Sequence, residues 1–197
     1  MTDERMIRAF LALDPPEEIL REIGRVQERL KRLIHGDVRW VRPESIHLTL
    51  KFFGDIRDGE VETISTVAGR AAADVGPFEL AIGGAGVFPD MKRPRVIWLG
   101  MNGDTERLTI FQNGLERALR EIGFPGEERP FRPHLTLGRI RSPKGLGGLA
   151  EALKQAEKDA DARFTVSGLC LFKSELTPQG AIYTRLAVYP FAGRRTA

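Results

Sequence analysis

The chain has 197 residues and a mass of 22.0 kDa, and 42% of its residues are hydrophobic; that is enough for one well-buried core and too short for two, so a single domain spanning 1–197 is expected. A net charge of +3 and a pI near 9.2 are modest and favour an anionic ligand held at a local site over a surface that coats nucleic acid along its length. The single cysteine, Cys170, excludes an intramolecular disulfide, and its apolar setting Val166-Ser167-Gly168-Leu169-Cys170-Leu171-Phe172 predicts a packed thiol rather than a nucleophile.

Asp3, Glu4 and Arg5 precede an apolar run only a strand long, so neither a secretory signal nor a membrane span is expected, and the protein is placed in the cytoplasm. Met6 to Leu13 reads as that strand. Asp14-Pro15-Pro16 then signals the start of a helix whose Ile19, Ile23, Val26, Leu30 and Leu33 recur at helical spacing up to His35-Gly36. Val38 to Val41 and Ile46 to Phe53 read as strands, and a helix near Asp58 to Asp74 follows, stopped by Gly76-Pro77. Phe78 to Phe88 and Arg95 to Gly100 form a strand pair joined by the turn-rich Pro89 to Pro94. Asp104 is expected to cap a helix carrying Leu108, Phe111, Leu115, Leu119 and Ile122, which ends at Gly123. After a further strand at His134, Ser142 to Gly148 reads as a flexible loop, Leu149 to Lys158 as a short helix, and Arg163 to Phe172 and Ala181 to Tyr189 as two strands. Adjacent strand pairs without strict strand-helix alternation predict an α+β class.

Two strands in this series carry one tetrapeptide. His47-Leu48-Thr49-Leu50 and His134-Leu135-Thr136-Leu137 are the same four residues, 87 positions apart. With three histidines and eleven threonines in the chain, the recurrence of Thr at this offset after two of the histidines has a chance of roughly one in a hundred, before the leucines are counted. On a strand, residues two apart share a face, so each copy aims an imidazole and a hydroxyl one way and its two leucines the other.

The two segments, Arg42-Pro43-Glu44-Ser45-Ile46-His47-Leu48-Thr49-Leu50-Lys51-Phe52-Phe53-Gly54 and Arg132-Pro133-His134-Leu135-Thr136-Leu137-Gly138-Arg139, resemble the two-histidine phosphodiesterase superfamily. Within it, the chain is most similar to the RNA 2′,3′-cyclic phosphodiesterases, historically called 2′-5′ RNA ligases. The likeness extends to Ile7 to Leu13, to Phe88-Pro89 with Val96 to Gly100, and to Ser174-Glu175-Leu176 with Gly180 and Tyr183. The resemblance implies two lobes of mostly antiparallel sheet with flanking helices, related by an approximate twofold axis, each lining one wall of a central cleft with its motif. It further implies that the 3′-oxygen leaves, with His47 as proton donor and His134 as proton acceptor, and that Arg139, five residues after His134, assists phosphate binding.

The residue types suit that chemistry. Opening a cyclic phosphodiester needs a base for water and an acid for the departing ribose oxygen, and two histidines with ordinary pKa near 6.5 can divide those tasks near neutrality. Thr49 and Thr136 would donate hydroxyl hydrogen bonds to the nonbridging phosphate oxygens. Neither a metal nor another cofactor is expected, because two histidines lack the nearby Cys pair, third His or carboxylate cluster that zinc would need. His35 lacks the following threonine, and a role in capping or facing the helix end is expected of it.

Arg129, Arg132, Arg139, Arg141 and Lys144 form an acid-free basic run that reads mostly as a solvated rim. Strict alternation from His134 would turn Arg139 toward the core unless a bulge near Gly138 intervenes. Phe53, Trp98, Phe131 and Tyr183 are strand or loop aromatics for which a core role is expected, and none is assigned to base stacking. The expected partner is RNA ending in a 2′,3′-cyclic phosphate or a related nucleotide, without a membrane or an obligate protein partner. Ligation by the same residues and a noncatalytic nucleotide- or RNA-binding module stand as alternatives.

Overall fold

The structure, a computed structural model, describes residues 5–159, 162–178 and 180–193; Asp3 and Glu4 lie outside these. Among the described residues nine strands form one wholly antiparallel sheet: β1 (Met6–Leu13), β2 (Val38–Trp40), β3 (Leu48–Arg57), β4 (Phe78–Phe88), β5 (Val96–Gly103), β6 (His134–Ile140), β7 (Arg163–Val166), β8 (Gly168–Thr177) and β9 (Gly180–Pro190). Four helices accompany them: α1 (Glu17–Leu33), α2 (Glu60–Ala73), α3 (Thr105–Glu121) and α4 (Leu149–Asp159). The strand order is β7-β4-β5-β6-β3-β1-β8-β9, with β2 also on β6. Read from the β6/β3 junction outward, each half runs motif strand, partner strand and outer pair, which is the two-lobed α+β arrangement.

The helices form because their apolar residues recur at helical spacing, and they bury that face under the sheet. Ile19, Ile23, Val26 and Leu30 of α1 and Leu108, Phe111, Leu115 and Leu119 of α3 join Leu48, Leu50, Leu135 and Leu137 in one continuous core. Helix α1 packs against α4, and α2 against α3. The motif leucines therefore face the helices, and the motif histidines and threonines face away.

Several local expectations are corrected. Arg163 to Phe172 is two strands, not one: Phe78 pairs with Val166 at one end of the sheet, whereas Gly168 pairs with Pro190 at the other. At Ser167 the chain passes between lobes, a crossing that alternation cannot reveal. The first motif strand begins at Leu48 rather than Ile46, preceded by a 3-10 turn at Pro43–Ser45 in which Ile46 N–H donates to the Pro43 carbonyl. Asp104 makes no side-chain cap on α3; its carboxylate accepts the Glu79 N–H at 3.0 Å, tying the helix start to β4. The backbone N–H of Ile34 closes α1 on the Leu30 carbonyl. Just beyond it, His35 and Gly147 exchange two backbone hydrogen bonds of 3.0 Å, which tether the Ser142–Gly148 loop. Among the described residues no helix is long and apolar enough to cross a membrane.

Candidate active site

The two motifs meet through one residue pair, Leu48 opposite Leu135. Both leucines face the core, so their neighbours on either side face the cleft. Continuing the antiparallel register by one residue sets His47 across from Thr136 and Thr49 across from His134. With about 5 Å between strands and about 7 Å between alternate residues along each, the four side chains mark the corners of a phosphate-sized patch. The histidines occupy one diagonal and the threonines the other. All four line a single cleft of about 370 Å³.

Each imidazole is oriented from behind by the backbone two residues earlier: His134 Nδ1 lies 2.7 Å from the Arg132 carbonyl, and His47 is hydrogen-bonded to the Ser45 backbone. Donation by Nδ1 of His134 to that carbonyl leaves Nε2 for the cleft. Their surroundings differ. The His47 ring stacks on Phe10 at 4.5 Å and on Phe172 at 5.8 Å, and meets the edge of Tyr183 at 4.9 Å. Burial pushes its pKa down from 6.5 to about 4, opposed by the bond to Ser45. His134 is also lowered, first by burial, against the opposing bond to Arg132, and further by the positive charge of Arg139; its only ring neighbour among the described residues is the edge of Phe88 at 4.9 Å. Near pH 7 both rings are therefore neutral, and an anionic phosphate beside them would favour protonation.

Arg139 lines the cleft, exposed, because the bulge on which its orientation depended is present. Ile97 pairs with Gly138 and Trp98 with Thr136, leaving Leu137 unmatched, so the two residues Leu137 and Gly138 both face inward and Arg139 emerges on the histidine side. Gly138 suits this place, since a Cβ there would come within 3.0 Å of Val38 and 3.1 Å of Trp40. Arg129, Arg132, Arg141 and Lys144 are exposed and do not line the cleft, as the rim reading expects.

Of the aromatics, Tyr183 lines the cleft, whereas Phe53, Trp98 and Phe131 do not. Sequence reading missed Arg8, Arg39, Arg42 and Phe52, all of which line it. Alternation from Phe10 would have reached Arg8; Phe52 and Arg39 are placed by strand pairing that periodicity does not contain. Arg8 lies over the Phe52 ring at 4.7 Å, and Arg39 donates to the Pro178 carbonyl at 3.4 Å, where the β8–β9 hairpin reaches across to β2. No carboxylate lines this cleft among the described residues. Nor do three His, Cys, Asp or Glu side chains come together anywhere among those residues to ligate a metal. Cys170 is buried beneath His47 with Phe10 and Phe172, and burial pushes its thiol up to about 11, so it is a packed, protonated group.

The signature of the 2′-5′ RNA ligase superfamily matches residues 15–178, a span that contains both His-x-Thr motifs. The chain belongs to this superfamily. The RNA 2′,3′-cyclic phosphodiesterase of Methanothermobacter thermautotrophicus is 39% identical over 183 residues, 93% of this chain and 98% of that protein. The crystal structure of TT0787 of Thermus thermophilus superposes with a TM-score of 0.79 at 28% identity, covering 96% of this chain and all of that one (100%). Escherichia coli LigT complexed with 3′-AMP superposes with a TM-score of 0.74 at 27% identity, covering 95% and 99%. The α+β superfamily fold extends over nearly the whole described chain.

Proposed function

We propose that the protein is an RNA 2′,3′-cyclic phosphodiesterase that opens the terminal cyclic phosphate to a 2′-phosphate and a free 3′-hydroxyl. The observation that carries this reading is that His47, His134, Thr49 and Thr136 line one cleft on either side of the Leu48–Leu135 pair, a register that sets the histidines on one diagonal. In-line displacement at phosphorus needs proton transfer on opposite sides, and a diagonal pair supplies it. His134 takes a proton from water as its oxygen bonds to phosphorus; the bond to the 3′-oxygen breaks, and His47 gives that oxygen a proton. His47 is shut in by three rings, so the proton it takes up from solvent when the anionic phosphate binds is held weakly and given up readily. Thr49 and Thr136 donate to the nonbridging oxygens, and Arg139 neutralises their charge.

The curated relatives that carry this activity in their names support the substrate class. The His47 and His134 roles require no metal, and hydrolysis should survive exhaustive chelation. RNA ends are met inside cells, which is the ground for placing the protein in the cytoplasm. The superfamily also supports a second reading, 2′-5′ ligation, in which the 5′-hydroxyl of another RNA takes the place of water. The test is a short RNA with a 2′,3′-cyclic phosphate end, incubated with and without a 5′-hydroxyl RNA, its products resolved by mass and by phosphatase sensitivity. A 2′-phosphate product is expected, and an unchanged substrate would refute catalysis in favour of a binding module.

A further inference from the structure

Two buried glutamines occupy equivalent places in the two halves, and neither touches the cleft. Gln27 of α1 is 0% exposed and Gln112 of α3 is 5% exposed. Each sits four residues after a buried aliphatic residue and three before the next, as Ile23-Val26-Gln27-Leu30 and Leu108-Phe111-Gln112-Leu115 show. A leucine at either position would complete an ordinary apolar stripe.

Their amides go to one kind of target. Gln27 Nε2 donates to the Leu137 carbonyl at 2.9 Å and to the Val41 carbonyl at 2.7 Å, and Gln112 Nε2 donates to the Leu50 carbonyl at 3.2 Å. Leu50 and Leu137 are the last residues of the two motifs. Both are bulged: Leu11 pairs with Lys51 and Ala12 with Thr49, which leaves Leu50 unmatched as Leu137 is on the other strand. The residue five after each histidine, Phe52 on one wall and Arg139 on the other, returns to the cleft only because of that extra residue. Helix α1 thus holds the bulge behind His134, and α3 the bulge behind His47. Gln27 Oε1 has no partner among the described residues, a desolvation cost that an apolar residue would not carry, so the amide is not explained by stability alone.

We propose that Gln27 and Gln112 are positioning residues, which lock the motif bulges and so fix where Arg139 and Phe52 meet the substrate. The role rests on the phosphate-cleft reading, and its test is separate from turnover. The probe is inorganic phosphate, titrated by calorimetry into the wild-type chain, Gln27→Met, Arg139→Ala and the double variant; Met keeps the length of Gln and removes both donations. Gln27→Met should weaken phosphate about tenfold in the wild-type background and by less than about twofold once Arg139 is gone, because one acts through the other. KM for a cyclic-phosphate-ended RNA should rise in step with the phosphate constant, while kcat falls less. Gln112→Met, acting on the opposite wall, should show its full effect with or without Arg139.

Equal losses for Gln27→Met in both backgrounds, or unchanged phosphate affinity with a lowered melting temperature, would make Gln27 a packing residue and overturn the proposal. Should Gln27→Met fail to fold, Gln27→Asn, which keeps the amide one methylene short, is read through the same cycle with the same two outcomes. A chain that shows the cycle yet leaves cyclic phosphate intact refutes the reaction and keeps the positioning role; a wild-type chain that binds no phosphate refutes both.

Discussion

The wall that carries His47 and the wall that carries His134 share a backbone and differ in what surrounds it. Both have the same tetrapeptide, a bulge at its last leucine, a ring held by the backbone two residues earlier and a helix glutamine behind. On the first wall the ring is enclosed by Phe10, Phe172 and Tyr183, and the place five residues on is Phe52. On the second, the ring meets one phenylalanine edge, and that place is Arg139. Duplication supplies two imidazoles that line one cleft, the proton-transfer pair of the proposed reaction. Burial lowers the pKa of both rings, so under the proposed reaction the division into acid and base rests on which side of phosphorus each ring faces and not on their proton affinities.

Removing either ring should have the largest effect. His47→Ala and His134→Ala should each lower turnover by about 10²–10⁴-fold, the usual worth of one positioned proton transfer, with the circular dichroism spectrum retained because the core-facing leucines remain. The two losses should then part with a substrate whose 3′-oxygen is sulfur, a leaving group that needs no acid. His47→Ala should recover most of its rate on it and His134→Ala little; equal recovery would reverse or erase the assigned roles.

The threonine diagonal should matter less and more evenly. Thr49→Val and Thr136→Val each remove one hydroxyl donor to a charged oxygen, and a loss of about tenfold or more in kcat/KM is expected, with Ser at either place retaining most activity. Val and Ser variants of equal rate would take the hydroxyls out of the chemistry.

The pH dependence should expose the histidines' surroundings. Burial pushes both rings down, and a bound phosphate anion would push them back up. The bell for kcat/KM, which reports the free enzyme, should therefore lie on the acid side of the bell for kcat, which reports the complex. Coincident profiles would mean that phosphate does not sit between the rings.

A further effect is on stability. The His47 ring takes its proton near pH 6.5 when unfolded and near 4 when folded, so falling pH in this window adds protons to the unfolded chain first. Stability from this residue is complete above 6.5 and lost progressively toward 4. Urea unfolding at points across that range should show a shallower decline for His47→Gln than for the wild-type chain. A residual slope from His134, whose pKa is shifted the same way, should remain. An unchanged slope would show that His47 is not the buried ring described.

Most of the fold was legible in the chain because its helices bury one face each and its strands alternate. The spans of β1, α1, β4 and α4 were read to within a few residues. The reading failed where pairing decides the outcome. Ser167 looks like the middle of one apolar strand, yet its flanks pair with β4 on one side and with β9 on the other. Asp104 looks like a cap and instead holds β4.

The repeated His-Leu-Thr-Leu settled by itself which side chains share a face, because a strand's period of two leaves no freedom in that. It also pointed to a chemistry, because paired His and Thr side chains suit proton transfer and phosphate donation. Tertiary structure alone decided that the two copies meet at Leu48 and Leu135, with the histidines on one diagonal, and that Arg139 returns to the cleft past a bulge instead of entering the core. It alone also brought Gln27, distant in sequence, to the carbonyl of Leu137. The physical reason is register. Which residue of one strand faces which residue of another depends on long-range pairing, and a single unmatched leucine inverts the facing of everything beyond it.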